Sequence, residues 1–389
     1  MSVGSILPNQ RRSNGLWVRY GGEEITDTQV KFAAEHYSVA ILQPREVDAA
    51  RRLKELNPNI TVLCYKCLSS TREYEGQAPF TSGVSFAEAQ EQERAGQSWF
   101  ARRKDGQLIE WDGYPGHFQM NVWNPAYRKQ WVANVSAELA DSPFDGVMAD
   151  NDFFGDYYGL NLPIRGARQL RTFHRGLDRL IRDAGKALNR QGKILVPNIA
   201  EARCDPGKWE RHSAFGGGFE EVFMGWGAEE FLDVASTMAQ AHQMMKTHAP
   251  VKLVQADGTR LKQPRLTLLR ASTDGTNRHP NFRAALAAFW VWGAGEWTAL
   301  AGTAHDAHNS TPWVQELAWD LGKPEGKYQE KNGALVRRFS KGWAAVNISD
   351  HPSGNIPVPA GLEAAHGKAV PSKVVLPPHQ GAIYRNRKH

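Results

Sequence analysis

SPFDGVMADND, at residues 142–152, joins a short apolar run to a cluster of acids. The run at residues 146–149 has the length and character of a buried strand in a parallel sheet. Asp150 and Asp152 follow it, and strand alternation predicts that their side chains share one side. A helix N-cap is the structural alternative, since Asp and Asn cap helices well. In an α/β barrel, chemistry is placed at this end of the strands, so the stretch predicts an acidic active site.

Strand-like runs and amphipathic helices alternate on both sides of this stretch. Strands are predicted at residues 16–20, 37–42, 60–65, 145–150, 193–198, 219–224, 251–255 and 296–300. Helices are predicted at residues 26–35, 45–56, 124–139, 163–188, 229–246 and 280–291. The alternation predicts an α/β fold, a (β/α)8 TIM barrel over residues 12–312. An open doubly wound sheet is the alternative, and no G-x-G-x-x-G follows the first strand to favour a dinucleotide-binding version.

Two further segments flank or interrupt the predicted barrel. Residues 68–122 form a long insertion rich in aromatic residues and glycine, and long connections of this kind are usually functional. Residues 313–389 contain short strand-like runs separated by turn residues. That texture predicts a small C-terminal antiparallel β-sandwich domain.

Bulk composition restricts the partners. The chain has 389 residues, a formal net charge of +6 and a pI of about 9.1. Lys and Arg are spread without a long basic tract, so we expect no nucleic-acid partner. No apolar window is long enough to span a membrane. Residues 1–12 show no secretory signal, which predicts a cytoplasmic or virion-associated protein, with secretion possible if a leader is missing. The oligomeric state is not predicted.

The cysteines do not indicate a redox or metal site. Cys64 and Cys67 form a C-x-x-C within a predicted strand. Residues three apart on a strand face opposite sides, so this pair cannot readily share a metal or a disulfide. We therefore predict no metal and no cofactor.

Glu221 gives Asp150 a partner two barrel strands further on. It shares a strand side with Phe219 and Phe223, and apolar surroundings favour the protonated form of a carboxyl group. Two facing carboxylates are the minimal apparatus for glycoside hydrolysis, with Glu221 as the acid and Asp150 as the nucleophile or base. A metal site is the competing use of clustered acids, although Asp150, Asn151 and Asp152 lack a clear set of further ligands.

Other polar and aromatic residues near the predicted strand ends or in the insertion are candidates for substrate binding, because aromatic faces and fixed polar groups hold sugar rings. These candidates are Arg19, Tyr65, Lys66, Trp111, Tyr114, Trp123, Asp152, Asn198, Trp226 and Gln255.

Several short motifs resemble one family. Residues 144–151, FDGVMADN, resemble the DG-x-x-x-D fourth-strand motif of barrel glycoside hydrolases, and residues 120–128, MNVWNPAYR, are similar to the segment that precedes it. Residues 217–223, GGFEEVF, resemble the sixth-strand G-x-x-x-E-x-F, and residues 320–324, 337–339 and 346–347 also fit. Together these resemble glycosyl hydrolase-like family 15, which is similar in style to the family 114 endo-polygalactosaminidases. Asn121 departs from the pattern, since relatives often have Asp there.

The resemblance implies a sugar-cleaving barrel with a small β domain, and it carries over only Asp150 and Glu221 as catalytic candidates. We expect a glycoside hydrolase that cleaves a microbial polysaccharide or oligosaccharide. The alternatives are a non-catalytic carbohydrate-binding or phage tail-associated barrel module and a metal-dependent hydrolase.

Overall fold

The structure is a computed structural model that describes residues 13–76, 80–246, 248–255, 257–292, 297–304, 307–309 and 311–387. Residues 1–12 and Glu296, at the predicted start of the eighth strand, lie outside this range.

Strands and helices alternate over roughly the first three quarters of the chain. In chain order the elements are β1 Leu16–Arg19, α1 Asp27–His36, β2 Val39–Leu42, α2 Val47–Leu56, β3 Thr61–Cys67, β4 Ser70–Arg72, α3 Phe86–Arg94, β5 His117–Gln119, α4 Pro125–Ala140, β6 Gly146–Asp150, α5 Leu170–Asn189, β7 Ile194–Pro197, α6 Lys208–His212, β8 Gly217–Glu220, α7 Val234–Met245, β9 Val251–Val254, β10 Arg260–Gln263, β11 Leu266–Ser272, α8 Pro280–Val291 and β12 Thr298–Thr303.

Eight of these strands form the (β/α)8 barrel. Parallel pairing gives the orders β1-β2-β3-β6-β7 and β8-β11-β12. Isolated parallel bridges join the two ladders, Leu195 to Gly216 on one side and Gly15 to Leu300 on the other. Apolar side chains from all eight strands, among them Val18, Met148 and Phe219, form one buried cluster inside. The predicted TIM barrel is confirmed.

The prediction for the seventh barrel strand is wrong. Residues 251–255 are strand-like, but β9 pairs antiparallel with β10 in a hairpin. The seventh barrel strand is β11, which runs parallel between β8 and β12. The predicted helix at residues 163–188 begins late, at Leu170, and the sixth strand ends early, at Glu220.

Local chemistry explains the elements around β6. Asn124 caps α4 by accepting from the Ala126 N–H, and Pro125 occupies the first turn, where no N–H donor is needed. A Cβ atom on Gly146 would lie 2.1 Å from the Ile194 carbonyl oxygen, so β6 can approach β7 only with glycine there. Asp145, just before the strand, accepts from Lys54 Nζ at 2.9 Å and the Val62 N–H at 2.8 Å.

The C-terminal part is antiparallel, as predicted. Its strands are β13 Gln329–Lys331, β14 Ala334–Phe339, β15 Gly342–Val346, β16 Ile356–Pro357, β17 Leu362–Glu363, β18 Lys373–Val374 and β19 Gly381–Asn386. Five of them form a sheet in the order β13-β14-β15-β19-β17, and β16 pairs with β18. Ala344 and Val346 pack with α8 of the barrel, whereas Trp343 and Ala345 face a second core that includes Ile356. The alternation of β15 therefore buries both faces of the sheet.

No helix within the described part of the chain has the length and apolar character needed to cross a membrane.

Candidate active site

A cavity of about 740 Å³ opens at the C-terminal ends of the barrel strands. Tyr65 comes from β3, Asp150 from β6, and Asn198 and Glu221 from the turns after β7 and β8. The long connection after β3 and the loop after β6 supply one wall, through Arg72, Trp111, Tyr114, His117 and Tyr158. This size lies in the range of ligand sites, and this end of the barrel is where TIM-barrel enzymes place their chemistry.

Asp150 is held by three hydrogen-bond donors. Tyr65 Oη donates to one carboxylate oxygen at 2.7 Å. Asn198 Nδ2 and the Asn151 N–H donate to the other, at 2.9 Å and 2.8 Å. All three are neutral groups, so the negative charge of Asp150 is oriented and not cancelled.

The proton of Tyr65 must point at Asp150. Arg72 Nη2 lies 3.2 Å from Tyr65 Oη, and an arginine can only donate. The tyrosine oxygen therefore accepts from Arg72 and gives its single proton to the carboxylate. Burial first, and then the charge of Asp150, raise the pKa of Tyr65 well above its usual value, which keeps that proton in place.

Arg72 is fixed in turn by groups on its other side. Its Nη1 lies 3.4 Å from Glu75, whose pKa is held below its usual value by Arg72, Thr81 and Ser82 although burial alone would raise it. Arg72 Nε donates to His117 Nε2 at 3.2 Å, so that nitrogen carries no proton. Burial, and then the charge of Arg72, lower the pKa of His117 to about 4. His117 is therefore neutral, with its proton on Nδ1.

The backbone turns sharply directly after Asp150. Asn151 has a φ of 66°, in the left-handed region that Asn tolerates better than most residues. Its Oδ1 accepts from Tyr158 Oη at 2.7 Å, and its carbonyl oxygen accepts from Ser69 Oγ at 3.1 Å. The turn ends strand alternation, so Asp152 does not share the environment of Asp150.

Asp152 lies at the cavity wall, and its side chain belongs to a buried ionic cluster. Its carboxylate is 3.2 Å from Lys208 Nζ and 2.5 Å from His212 Nδ1, and its side chain is fully buried. Asp178 contacts the other ring nitrogen of His212 at 2.5 Å. Although burial would raise it, His212 and Lys208 hold the pKa of Asp152 below its usual value. This arrangement is that of a structural ion cluster.

Glu220 and Glu221 point to different surroundings. Glu221 follows β8 and lines the cavity, whereas Glu220, the last residue of β8, is completely buried. Glu220 accepts from the Val222 N–H at 3.0 Å, and burial raises its pKa to about 8. The pKa of Tyr158 is raised first by burial and then by the charges of Asp150 and Glu221, so its hydroxyl lies near both carboxylates.

Aromatic rings form much of the cavity wall. Trp111 stacks on Tyr158 with ring centroids 4.0 Å apart, and Tyr114 meets both rings edge-on. On the opposite side Tyr20 lies between Tyr65 and His308, with centroid distances of 4.6 Å and 4.4 Å. Stacking leaves Trp111, Tyr20 and Tyr65 almost completely buried, so these rings make the wall rigid.

The cavity brings together most of the residues singled out from the sequence. Those that line it are Asp150, Glu221, Tyr65, Trp111, Tyr114, Asp152, Asn198 and Trp226. Four others lie elsewhere: Arg19, Lys66, Trp123 and Gln255. Arg19 donates to the Glu23 carbonyl at 2.6 Å, and Lys66 pairs with Glu138 at 2.6 Å. Trp123 packs on Phe173, and Gln255 belongs to the β9–β10 turn.

The sequence did not single out several residues that line the cavity. These are Tyr20, Gln43, Arg45, Arg72, Tyr74, Glu75, His117, Tyr157, Tyr158 and His308, among others. The aromatic density of residues 68–122 was a signal for some of them. Nothing in the local sequence distinguishes Arg72 or His308 from ordinary loop residues.

Among the residues that the structure describes, no group of three or more His, Cys, Asp and Glu side chains is arranged to hold a metal ion.

Comparison with known proteins gives one family match. The sequence model of hypothetical glycosyl hydrolase family 15 matches residues 54–343. Curated protein sequences give no match. Among solved structures, the chain is similar to a debranching enzyme of Nostoc punctiforme, with a TM-score of 0.51 and 10% identity over 98% of this chain and 99% of that one. That similarity shows a shared fold.

Two further solved structures are similar at lower scores. The glycoside hydrolase domain of PelA from Pseudomonas aeruginosa has a TM-score of 0.47 and 15% identity, over 78% of this chain and 100% of that one. Ega3 of Aspergillus fumigatus, in complex with galactosamine, has a TM-score of 0.43 and 11% identity, over 78% of this chain and 96% of that one.

Proposed function

The chain belongs to hypothetical glycosyl hydrolase family 15, and we propose that it cleaves the glycosidic bonds of a microbial polysaccharide with Asp150 and Glu221 as its working carboxylates. The observation that carries this proposal is the contrast within the cavity. Asp150 is an oriented anion with neutral partners, and Glu221 shares the cavity with it.

The two carboxylates have different roles in this proposal. Glu221 gives a proton to the leaving glycosidic oxygen while the bond to the anomeric carbon breaks. Asp150 either attacks that carbon or takes a proton from the water that attacks it. In the first case the attack forms a glycosyl ester of Asp150. A water molecule then attacks the anomeric carbon, the bond to Asp150 breaks, and Glu221 takes a proton of that water. The anomeric form of the first product, followed by NMR, distinguishes the two roles.

The cavity wall supports a carbohydrate as the ligand. Tyr114 and Trp226, both half-buried, present aromatic surface, and Asn198 adds a polar group beside the reacting carboxylate. The Asn198 Nδ2 group is committed to Asp150, while its buried Oδ1 has no hydrogen-bond partner in the described structure. A buried acceptor without a partner is costly, so we assign Oδ1 to a hydroxyl group of the bound sugar.

Release of reducing ends from purified cell-wall and capsular glycans tests the proposal. Asp150→Asn and Glu221→Gln should each lower turnover by at least about 100-fold while polymer binding remains. Glu91→Gln, an exposed acid on α3, is the matched control and should retain wild-type turnover. Turnover that survives both changes would refute the assignment. A wild-type protein that binds a glycan and cleaves none would favour the non-catalytic alternative.

A further inference from the structure

The outer face of α5 carries a row of exposed cations. Its members recur every three or four residues and are Arg171, Arg175, Arg179, Arg182, Lys186 and, directly after the helix, Arg190. At 3.6 residues per turn they fall within an arc of roughly 100°, and the row is about 28 Å long. The buried residues of α5, among them Phe173, Leu177 and Leu188, lie on the opposite side. The helix thus gathers charges that are dispersed along the sequence.

Few acids neutralise this row. Among the described residues, Arg182 is the member with a carboxylate partner, Asp183 at 2.9 Å. On their exposed sides α2 alternates Asp48 with Arg51, and α3 carries both Glu91 and Arg94. The row therefore produces a local attractive field for anions on this side of the barrel.

The row also leads into a depression at its far end. Lys186, Arg190, Lys252 and Arg265 line a shallow hollow of about 500 Å³, and none of the described residues that line it is acidic. Arg265 is held in place by the Ala249 and Glu210 carbonyls, each at 2.8 Å. The hollow extends the positive surface beyond the helix.

The other end of the row lies beside the candidate active site. α5 follows β6, so its first turn is at the cavity end of the barrel. His174 Nε2 contacts the Phe154 carbonyl at 2.8 Å, next to Phe153 in the cavity wall. A linear ligand lying along the row would therefore run from the hollow to the cavity rim.

We propose that the outer face of α5 binds a linear anionic polysaccharide. A row of separate cations along a straight helix suits a polymer with acidic groups at regular intervals. A membrane surface would need exposed apolar residues on this face, and the described apolar residues of α5 are not exposed. Single-stranded nucleic acid would need stacking aromatic rings there, and the exposed residues of the helix include none. The choice of a polysaccharide rests on the proposed function, but the binding itself does not.

Fluorescence anisotropy with labelled polygalacturonate, long enough to span the row, tests the proposal. All proteins carry Asp150→Asn, so that the polymer is not cut. One variant adds Arg171→Gln, Arg175→Gln, Lys186→Gln and Arg190→Gln. Its matched control adds Lys31→Gln, Lys104→Gln, Lys327→Gln and Lys331→Gln, four exposed cations in other places with the same change in net charge.

The row variant should bind at least about tenfold more weakly at about 50 mM salt, and the control should change less than about twofold. Parent affinity should fall steeply towards about 200 mM salt, and neutral dextran should not bind. Equal loss in both variants would overturn the proposal, because net charge alone would explain it. Row-dependent binding of duplex DNA or phosphatidylserine vesicles that is tighter than that of polygalacturonate would overturn the polysaccharide as partner. If the fourfold variant unfolds, two double variants replace it, Arg171→Gln/Arg175→Gln and Lys186→Gln/Arg190→Gln. Each should bind polygalacturonate about threefold more weakly.

Discussion

Asp150 and Asp152 are two residues apart at the end of β6, and their surroundings are opposite. Asp150 faces the cavity and accepts from a tyrosine hydroxyl, an asparagine amide and a backbone N–H. Asp152 is buried against Lys208 and His212. Neutral donors orient a negative charge without cancelling it, whereas cations cancel it. The partners of an acid, more than its place on a strand, therefore distinguish a reactive group from a structural one.

The same contrast recurs at β8. Glu221 lines the cavity, while Glu220 lies behind the strand in a fully buried position. Burial raises the pKa of Glu220 to about 8, so it is protonated at neutral pH. At the ends of β6 and β8, one acidic side chain therefore faces the cavity and the other is buried. Matched substitutions can test each pair.

The largest effect is expected for Asp150→Asn. The amide keeps the size of the side chain but removes the charge, so turnover should fall by about 10³- to 10⁴-fold. The melting temperature should change little. Initial rates on the best glycan substrate, with thermal unfolding of the same samples, measure both quantities. Wild-type turnover in Asp150→Asn, or a large loss of stability in this variant, would contradict the distinction between the two aspartates.

Asp152→Asn should give the reverse pattern. Removal of this carboxylate leaves Lys208 without its acidic partner and His212 with Asp178 alone, and it should lower the free energy of unfolding by about 3 kcal/mol. Turnover of the folded fraction should stay within about tenfold of the wild type, since Asp152 has no exposed side-chain surface for a substrate to touch. Urea unfolding gives the stability, and Asp183→Asn, an exposed acid on α5, is the control. An Asp152→Asn variant that is stable but inactive would place Asp152 among the catalytic residues instead.

The ion cluster around Asp152 also makes the free energy of unfolding depend on pH in two ranges, one set by Asp152 and one by His212. The pKa of Asp152 is held below 3.8, so its contribution is present above pH 3.8 and is lost as the pH falls through the lowered pKa. The pKa of His212 is raised above 6.5 by Asp152 and Asp178, although burial alone would lower it. Its contribution is complete below pH 6.5 and is lost as the pH rises through the raised pKa. Asp152→Asn should weaken both dependences.

The sequence predicted the barrel well but predicted these acids only in part. Alternation along a strand placed Asp150 and Asp152 on one side. The rule failed because β6 ends at Asp150 and Asn151 turns the chain with a φ of 66°. For Glu220 and Glu221 alternation does place the two side chains in different surroundings, because no residue with positive φ separates them from β8.

The seventh strand shows a second limit of sequence patterns. Residues 251–255 had the apolar content expected of a barrel strand, yet Asp257-Gly258 is a typical hairpin turn sequence that joins them to β10. The true strand, β11, contains the buried Arg270, which makes its sequence look less like a core segment. Arg72 and His308 reach the cavity only through tertiary contacts, and no local pattern encodes those.

Glu220→Gln tests the contrast between Glu220 and Glu221. As the pH rises from 4.5 towards 8, an unfolded glutamate loses its proton while the folded Glu220 keeps it, so wild-type stability falls across this window. Glutamine cannot ionise. The variant should therefore lose this dependence and exceed the wild type in free energy of unfolding by up to about 5 kcal/mol above pH 8. Urea unfolding at several pH values measures this, and near-wild-type turnover is expected. Loss of turnover with unchanged stability would move Glu220 into the site.

Tyr65→Phe should have the smallest effect and tests why Asp150 is oriented. The substitution removes one of three donors to the carboxylate but keeps the ring that stacks on Tyr20. We expect kcat to fall about tenfold with KM nearly unchanged, since the lost hydrogen bond stabilises the charge of Asp150 and not the bound sugar. Tyr127→Phe, which loses a buried hydroxyl contact to the Leu68 carbonyl away from Asp150, is the control. It should lower stability without lowering kcat. A Tyr65→Phe enzyme with wild-type kcat would mean that Asn198 and the Asn151 N–H orient the carboxylate without help. The position of the donors on one oxygen of Asp150 would then matter more than the number of donors.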